Sequence, residues 1–113
     1  MLPSSRRVSR ILFEKTLHNG KVFHGAFFSL RIGSVEGEPT KAAMVVSKKI
    51  DKRATKRNTL RRRGYRVLAK HIGSMQPGFT VLFFAKKGAE AVSEQVLEAS
   101  MVESLKQAKV YIS

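Results

Sequence analysis

The sequence predicts a two-layer α/β (α+β) sandwich, a mixed four-stranded sheet with helices packed on it, in the order α-β-β-β-α-β-α. Three observations lead there. Apolar residues recur at helical spacing in three segments and with strand character in four. At 113 residues the chain suffices for one modest core, so a single domain is expected over residues 1–113. With no cysteine there is neither a disulfide framework nor a thiolate zinc site, and side-chain packing alone must hold the fold.

Ser9 is an N-cap for a first helix reaching about His18, with Leu12, Phe13 and Leu17 on its inner side and Gly20 as a left-handed stop. KVFHGAFFSLRIG has strand composition. Alternation from Phe27 onward puts Phe28, Leu30 and Ile32 on one face and Phe27, Ser29 and Arg31 on the other. GSVEGEPT, with two Gly and a Pro, is a surface connection into the strand KAAMVVS, and these strands are expected to form an antiparallel meander.

A second helix is expected from about Arg53 to about His71. Leu60, Gly64, Val67, Leu68 and His71 make a narrow stripe on its wheel, while Asn58 and Arg62 lie on the opposite side. A glycine inside a helix costs about 1 kcal/mol relative to Ala, so Gly64 predicts close approach to the sheet. SMQPG is a turn. FTVLFFA is a near-continuous apolar run, the pattern of a strand covered on both faces. Ser93 caps a last helix in which Leu97, Met101, Leu105 and Ala108 share a side, with Glu94 and Glu98 early and Lys106 and Lys109 late, as the helix dipole favours.

Charge is distributed unevenly along these elements. The net charge is +14, a self-repulsion that a polyanionic partner relieves. Residues 47–66, SKKIDKRATKRNTLRRRGYR, hold ten Lys and Arg against the single acid Asp51, whereas residues 67–113 hold five Lys and four Glu. A helix that is merely solvated interleaves Glu with its cations, and this one has none after Asp51. The segment is built to neutralise phosphates, with affinity that falls steeply as salt rises. Arg dominates its later part, as suits planar bidentate phosphate contact. Asn58, a poor helix former, either bonds local backbone or serves RNA as donor and acceptor.

Other chemistries lack their residues. The only Asp is Asp51, and the seven Glu are scattered over a helix, a loop and another helix, so no carboxylate cluster for a metal-dependent nuclease is expected. His18, His24 and His71 fall in different elements without motif spacing. GSVEGEPT lacks the Lys and spacing of a P-loop. No catalytic residue, metal ligand or small-molecule substrate site is assigned to the chain. The basic N-terminus lacks the apolar core of a secretory signal, and the longest apolar runs are too short to span a bilayer. No membrane partner and a cytoplasmic location are expected.

SKKIDKRATKRNTLRRR resembles the basic signature of the protein subunit of bacterial ribonuclease P: a strand ending in a Lys pair, then Lys-Arg-Ala, two residues, Arg-Asn, and a further basic pair. Lys48, Lys49, Lys52, Arg53, Ala54, Arg57, Asn58, Leu60, Arg61 and Arg62 fall in step with it. The likeness extends to Phe13 seven residues ahead of Gly20, to a Pro-Gly turn before an apolar strand ending in AKKGA, and to the terminal amphipathic helix. Thr59 replaces the Arg that the family usually places after the Asn, and its later Arg is shifted here to Tyr65 or Arg66.

The resemblance implies a left-handed β-α-β crossover around the second helix, an exception to the usual hand. It also implies an accessory protein of an endoribonuclease that removes the 5′ leader of precursor tRNA, in which the RNA subunit carries the chemistry with magnesium ions. The implied partners are ribonuclease P RNA and precursor tRNA. The expected RNA-binding residues are Lys48, Lys49, Lys52, Arg53, Lys56, Arg57, Asn58, Arg61, Arg62 and Arg66. A cleft formed by Phe13, Leu17, Phe27 and Arg31 is expected to take the leader strand. On the residues alone, a small ribosomal or assembly RNA-binding protein remains the alternative, and an architectural DNA binder lacks a recognisable helix-turn-helix, zinc finger or dimerising heptad.

Overall fold

The computed structural model describes residues 2–112. Its helices are α1 (Arg10–Asn19), α2 (Ala54–His71) and α3 (Glu94–Gln107), and its strands are β1 (Lys21–His24), β2 (Phe28–Ser34), β3 (Lys41–Val45) and β4 (Phe79–Ala85). Both serine caps form as the sequence indicates. The Ser9 hydroxyl accepts from the Leu12 amide at 3.2 Å, and the Ser93 hydroxyl from the Val96 amide at 3.3 Å.

The sheet order is β1-β2-β4-β3, with β3 parallel to β4 and the other pairs antiparallel. The expected meander is therefore corrected. β1 and β2 do form a hairpin, but β3 skips past β2 to the far edge, and β4 returns between them after the α2 crossover. Thr40 helps fix this arrangement: its buried hydroxyl donates to the Gln76 carbonyl and accepts from the Phe79 amide at 3.1 Å, locking the start of β3 to the start of β4. The apolar run of β4 is explained by its central place, with Val81, Leu82 and Phe83 all at 0% exposure.

Phe28, Leu30 and Ile32 of β2, Ala42 and Met44 of β3, and Val81 and Phe83 of β4 face Leu60, Val67 and Leu68 of α2 and Leu97, Met101 and Leu105 of α3 in one core. Phe28 and Phe83 meet edge to face, ring centres 5.7 Å apart. Burying side chains of this size contributes about 1.5–3 kcal/mol each. Sheet, α2 and α3 are the two-layer core; α1 lies across the opposite face over β2 and β4. At the outer edge the N-terminal segment seals β3: Arg7 bridges Ala42 in parallel, and Leu2 is buried in the core. Covering an edge in this way removes a template for unwanted strand pairing.

Two glycines mark close approach. A Cβ at Gly64 would overlap the Met44 thioether, lying 2.8 Å from its Cγ and 3.0 Å from its Sδ, so α2 settles onto β3 where the sequence predicts. Gly20 does not adopt the left-handed conformation expected of a helix stop; its φ of −74° and ψ of 153° are extended. A side chain there would lie 2.5 Å from the Thr16 carbonyl of α1 and 2.9 Å from both Arg31 Cγ and the Ile32 carbonyl, so the position is held small by the last turn of the helix and by the sheet together.

Candidate nucleic-acid interface

The basic segment occupies a turn and one face of α2. Its strand ends at Val45, so Lys48 and Lys49 lie in the turn beyond it, closed by the Ile50 amide on the Ser47 carbonyl at 3.1 Å. Asp51 organises the approach to α2. Its carboxylate accepts from the Arg53 amide at 2.9 Å and from the Arg53 guanidinium at 3.1 and 3.0 Å. Those bonds pull its pKa down to about 2. Arg57 reaches back to the carbonyls of Asp51 (3.0 Å) and Lys52 (2.9 Å), fastening the turn to the helix.

The sequence-predicted RNA residues thus separate by what holds them. Arg53 is paired with Asp51, Arg57 with two backbone carbonyls, Arg61 with the Asn58 side-chain oxygen, and Arg66 with Glu94. Lys48, Lys49, Lys52, Lys56 and Arg62 have no side-chain partner among the described residues, and all five are exposed. Asn58, Arg61, Arg62, Tyr65 and Arg66 line one shallow groove of about 450 Å³ on the outer side of α2. Arg66 stands at the groove's end, its Nε and Nη2 on Glu94 Oε1 at 3.1 and 2.5 Å. That bond holds the Glu94 carboxyl below the usual range.

One turn further along, Glu98 of α3 pairs with Lys70 at 3.1 Å, accepts a hydrogen bond from it at 3.4 Å, and lies 2.5 Å from His71 Nε2, whose Nδ1 is 2.9 Å from the Tyr111 hydroxyl. The hydrogen bond to His71, then that to Lys70, lowers the Glu98 pKa. Among the described residues no three His, Asp or Glu side chains form a group that could hold a metal ion. Nor is any described helix long and apolar enough to cross a membrane.

The expected leader cleft is assembled only in part. Phe13 and Leu17 lie half-buried on the inner side of α1, and Phe13 packs on Phe84 of β4, ring centres 6.3 Å apart. Arg31 is beside them but committed: its Nη1 donates to the Leu17 carbonyl, and its Nε is buried without a partner. The guanidinium therefore anchors the end of α1 to the sheet. Phe27 is corrected out of this cleft. It precedes β2, packs against the main core and lines a groove with Val96, Ala99 and Ser100 of α3. Alternation from Phe27 assumed a strand already in progress, whereas β2 begins at Phe28. Phe84 was missed; its place on the α1 face follows from pairing with Ser29, which puts it on the same side as Arg31.

Against this geometry, the chain matches the family described as Ribonuclease P over residues 2–109. The chain belongs to the ribonuclease P protein family. The ribonuclease P protein component of a Synechococcus strain is 29% identical over 118 residues, spanning 100% of this chain and 89% of that protein. The fold is shared with solved structures at lower identity. The Staphylococcus aureus RNase P protein superposes with a TM-score of 0.83 at 19% identity, covering 96% of this chain and 99% of that one. The Thermotoga maritima RNase P protein superposes at 0.80 with 21% identity, covering 89% and 96%. Family membership places the chain in tRNA 5′-end processing, within a ribonuclease P ribonucleoprotein that supplies an RNA partner.

Proposed function

We propose that this ribonuclease P protein docks the outer face of α2 on the catalytic RNA subunit and holds the 5′ leader of precursor tRNA along the α1 side of the sheet, in the cytoplasm. The observation that carries the reading is the set of exposed cations at Lys48, Lys49, Lys52, Lys56 and Arg62, none of them in an ion pair among the described residues, next to a groove lined by Asn58, Arg61 and Arg62. Such a surface neutralises phosphates and releases their counterions. The half-buried aromatic pair Phe13 and Phe84 offers a second kind of contact, since bases stack on aromatic rings with about 1–3 kcal/mol each.

Cleavage of the leader is assigned to the RNA subunit with magnesium ions. Among the described residues no three His, Asp or Glu side chains form a group that could hold such an ion, and the part proposed for this chain needs none. Its part is physical: it lowers repulsion between two polyanions and fixes the leader's direction. The test is leader cleavage by the RNA subunit, with and without this protein, at low magnesium. The protein is expected to lower the magnesium requirement and to favour precursor over mature tRNA; a reaction unchanged in both respects overturns the reading.

A further inference from the structure

We propose that the groove beside Tyr65 is a pocket for one unpaired ribonucleotide, its base stacked on the phenol ring and its phosphate held by Arg61 and Arg62. The inference rests on α2 being an RNA interface and adds the kind of RNA that meets it there.

Tyr65 follows Arg61 by four residues and Arg62 by three, so the three side chains are neighbours on the helix surface. It stands outside the stripe of Leu60, Gly64, Val67 and Leu68 that α2 buries. The ring is half-buried and leans on the core, yet it lines the groove, and its hydroxyl has no hydrogen-bond partner among the described residues. A ring braced from behind is a stacking platform that loses little conformational freedom on binding, because tyrosine has only two side-chain torsions. The volume, about 450 Å³, lies within the 300–1,000 Å³ range common for small-ligand pockets.

The groove's ends carry complementary chemistry. Arg66 is fixed by Glu94 as one wall. At the other end Asn58 accepts from Arg61 through its side-chain oxygen. A guanidinium can only donate, so this bond leaves the two Nδ2 protons of Asn58 for an acceptor such as a base carbonyl. Cations for the phosphate, an aromatic face for the base and an amide for its edge are the three contacts by which proteins take bases that are free of a helix. A duplex backbone would use only the first of them.

The test uses an RNA duplex carrying one unpaired uridine and the same duplex fully paired, at one salt concentration. The protein is expected to bind the bulged RNA more tightly. Tyr65→Leu keeps the apolar packing, and is expected to weaken binding of the bulged RNA by about 5- to 150-fold while leaving the paired RNA unchanged; Tyr65→Phe should behave as the native protein. Equal native affinities, or equal losses on both RNAs, overturn the pocket. As a readout independent of any variant, 5-iodouridine at the unpaired position should photocrosslink to the peptide bearing Tyr65, and crosslinks confined to other peptides overturn it too. Arg62→Gln separates the two levels. If it weakens both RNAs while Tyr65→Leu changes neither, the nucleotide pocket alone fails; if Arg62→Gln also changes nothing, the α2 interface fails with it.

Discussion

The two halves of α2 carry cations at similar density and treat them differently. In the first half Lys56 and Arg62 form no ion pair among the described residues, although Lys56 shares a groove with Asp51 and Glu90, and Arg61 is engaged by the neutral amide of Asn58. In the second half Arg66 and Lys70 are each met by a carboxylate from α3, Glu94 or Glu98, and Glu98 also hydrogen-bonds His71. Cation count alone would extend the RNA surface along the whole helix. The neighbouring helix shortens it, because a charge already neutralised by the protein releases fewer counterions when a phosphate arrives.

The largest effect should come from removing the unopposed half. Arg61→Gln with Arg62→Gln is expected to flatten the log-log salt dependence of RNA binding by about 1.4–1.8, taking 0.7–0.9 per phosphate contact. Lys70→Gln, in the opposed half, should leave that slope within error; matching losses at both ends would erase the distinction between the halves.

Gly64 lies between the halves and tests whether they depend on one seat. Gly64→Ala gains helix propensity of about 1 kcal/mol but drives a methyl group into Met44. Overpacking of this kind costs about 1–3 kcal/mol. A net loss of stability is expected in urea denaturation, and the same substitution made in a Met44→Ala background, where the thioether is gone, should cost less. The RNA salt slope of the folded variant should stay unchanged.

A smaller effect, of opposite sign, should follow Glu94→Gln. Releasing Arg66 moves it into the unopposed class, so RNA affinity should rise by about two- to five-fold at low salt, the scale of an exposed ion pair, and the slope should steepen. An affinity that falls would mean that Glu94 serves binding by holding Arg66 in place.

The smallest effect is on acid stability. Asp51 and Glu98 have folded pKa values below their ordinary ones, so folding binds fewer protons than the unfolded chain does. The stabilisation is complete above the ordinary carboxylate range and is lost as pH falls through the folded values, about 2 for Asp51. Melting temperature should therefore drop as pH is lowered from about 5 toward that value, and the drop should be shallower in Glu98→Gln. Identical acid limbs would assign no role to the α3 clasp.

What the sequence could reveal divides along local and long-range lines. Ser9 and Ser93 as caps, the buried stripe of α2, the tight seat at Gly64 and the central place of β4 are written in spacing and composition within one element. The position of β3 is not. Period-two alternation says which face a residue takes and is silent on which strand lies beside it, so the chain order of β1, β2 and β3 suggested a meander that the α2 crossover replaces. The same limit explains the site. Lys56, Asn58 and Arg62 announced themselves by their run, but Glu94 reaches Arg66 across 28 positions of sequence, and no local pattern marks that meeting. Alternation places Arg31 on the cleft side of β2 but is silent on its acceptor, the Leu17 carbonyl, which belongs to the backbone of another element.

The notch at Gly64 gives the helix bearing the unopposed cations a sulfur-containing seat. Met44 is 3% exposed, so peroxide reaches its thioether only when the helix lifts away, and native protein should resist oxidation there. Once a sulfoxide forms, its added oxygen is polar and has no room against the helix. Re-closure would then fail, and oxidative damage at a side chain remote from any nucleic acid would be felt as loss of grip on it.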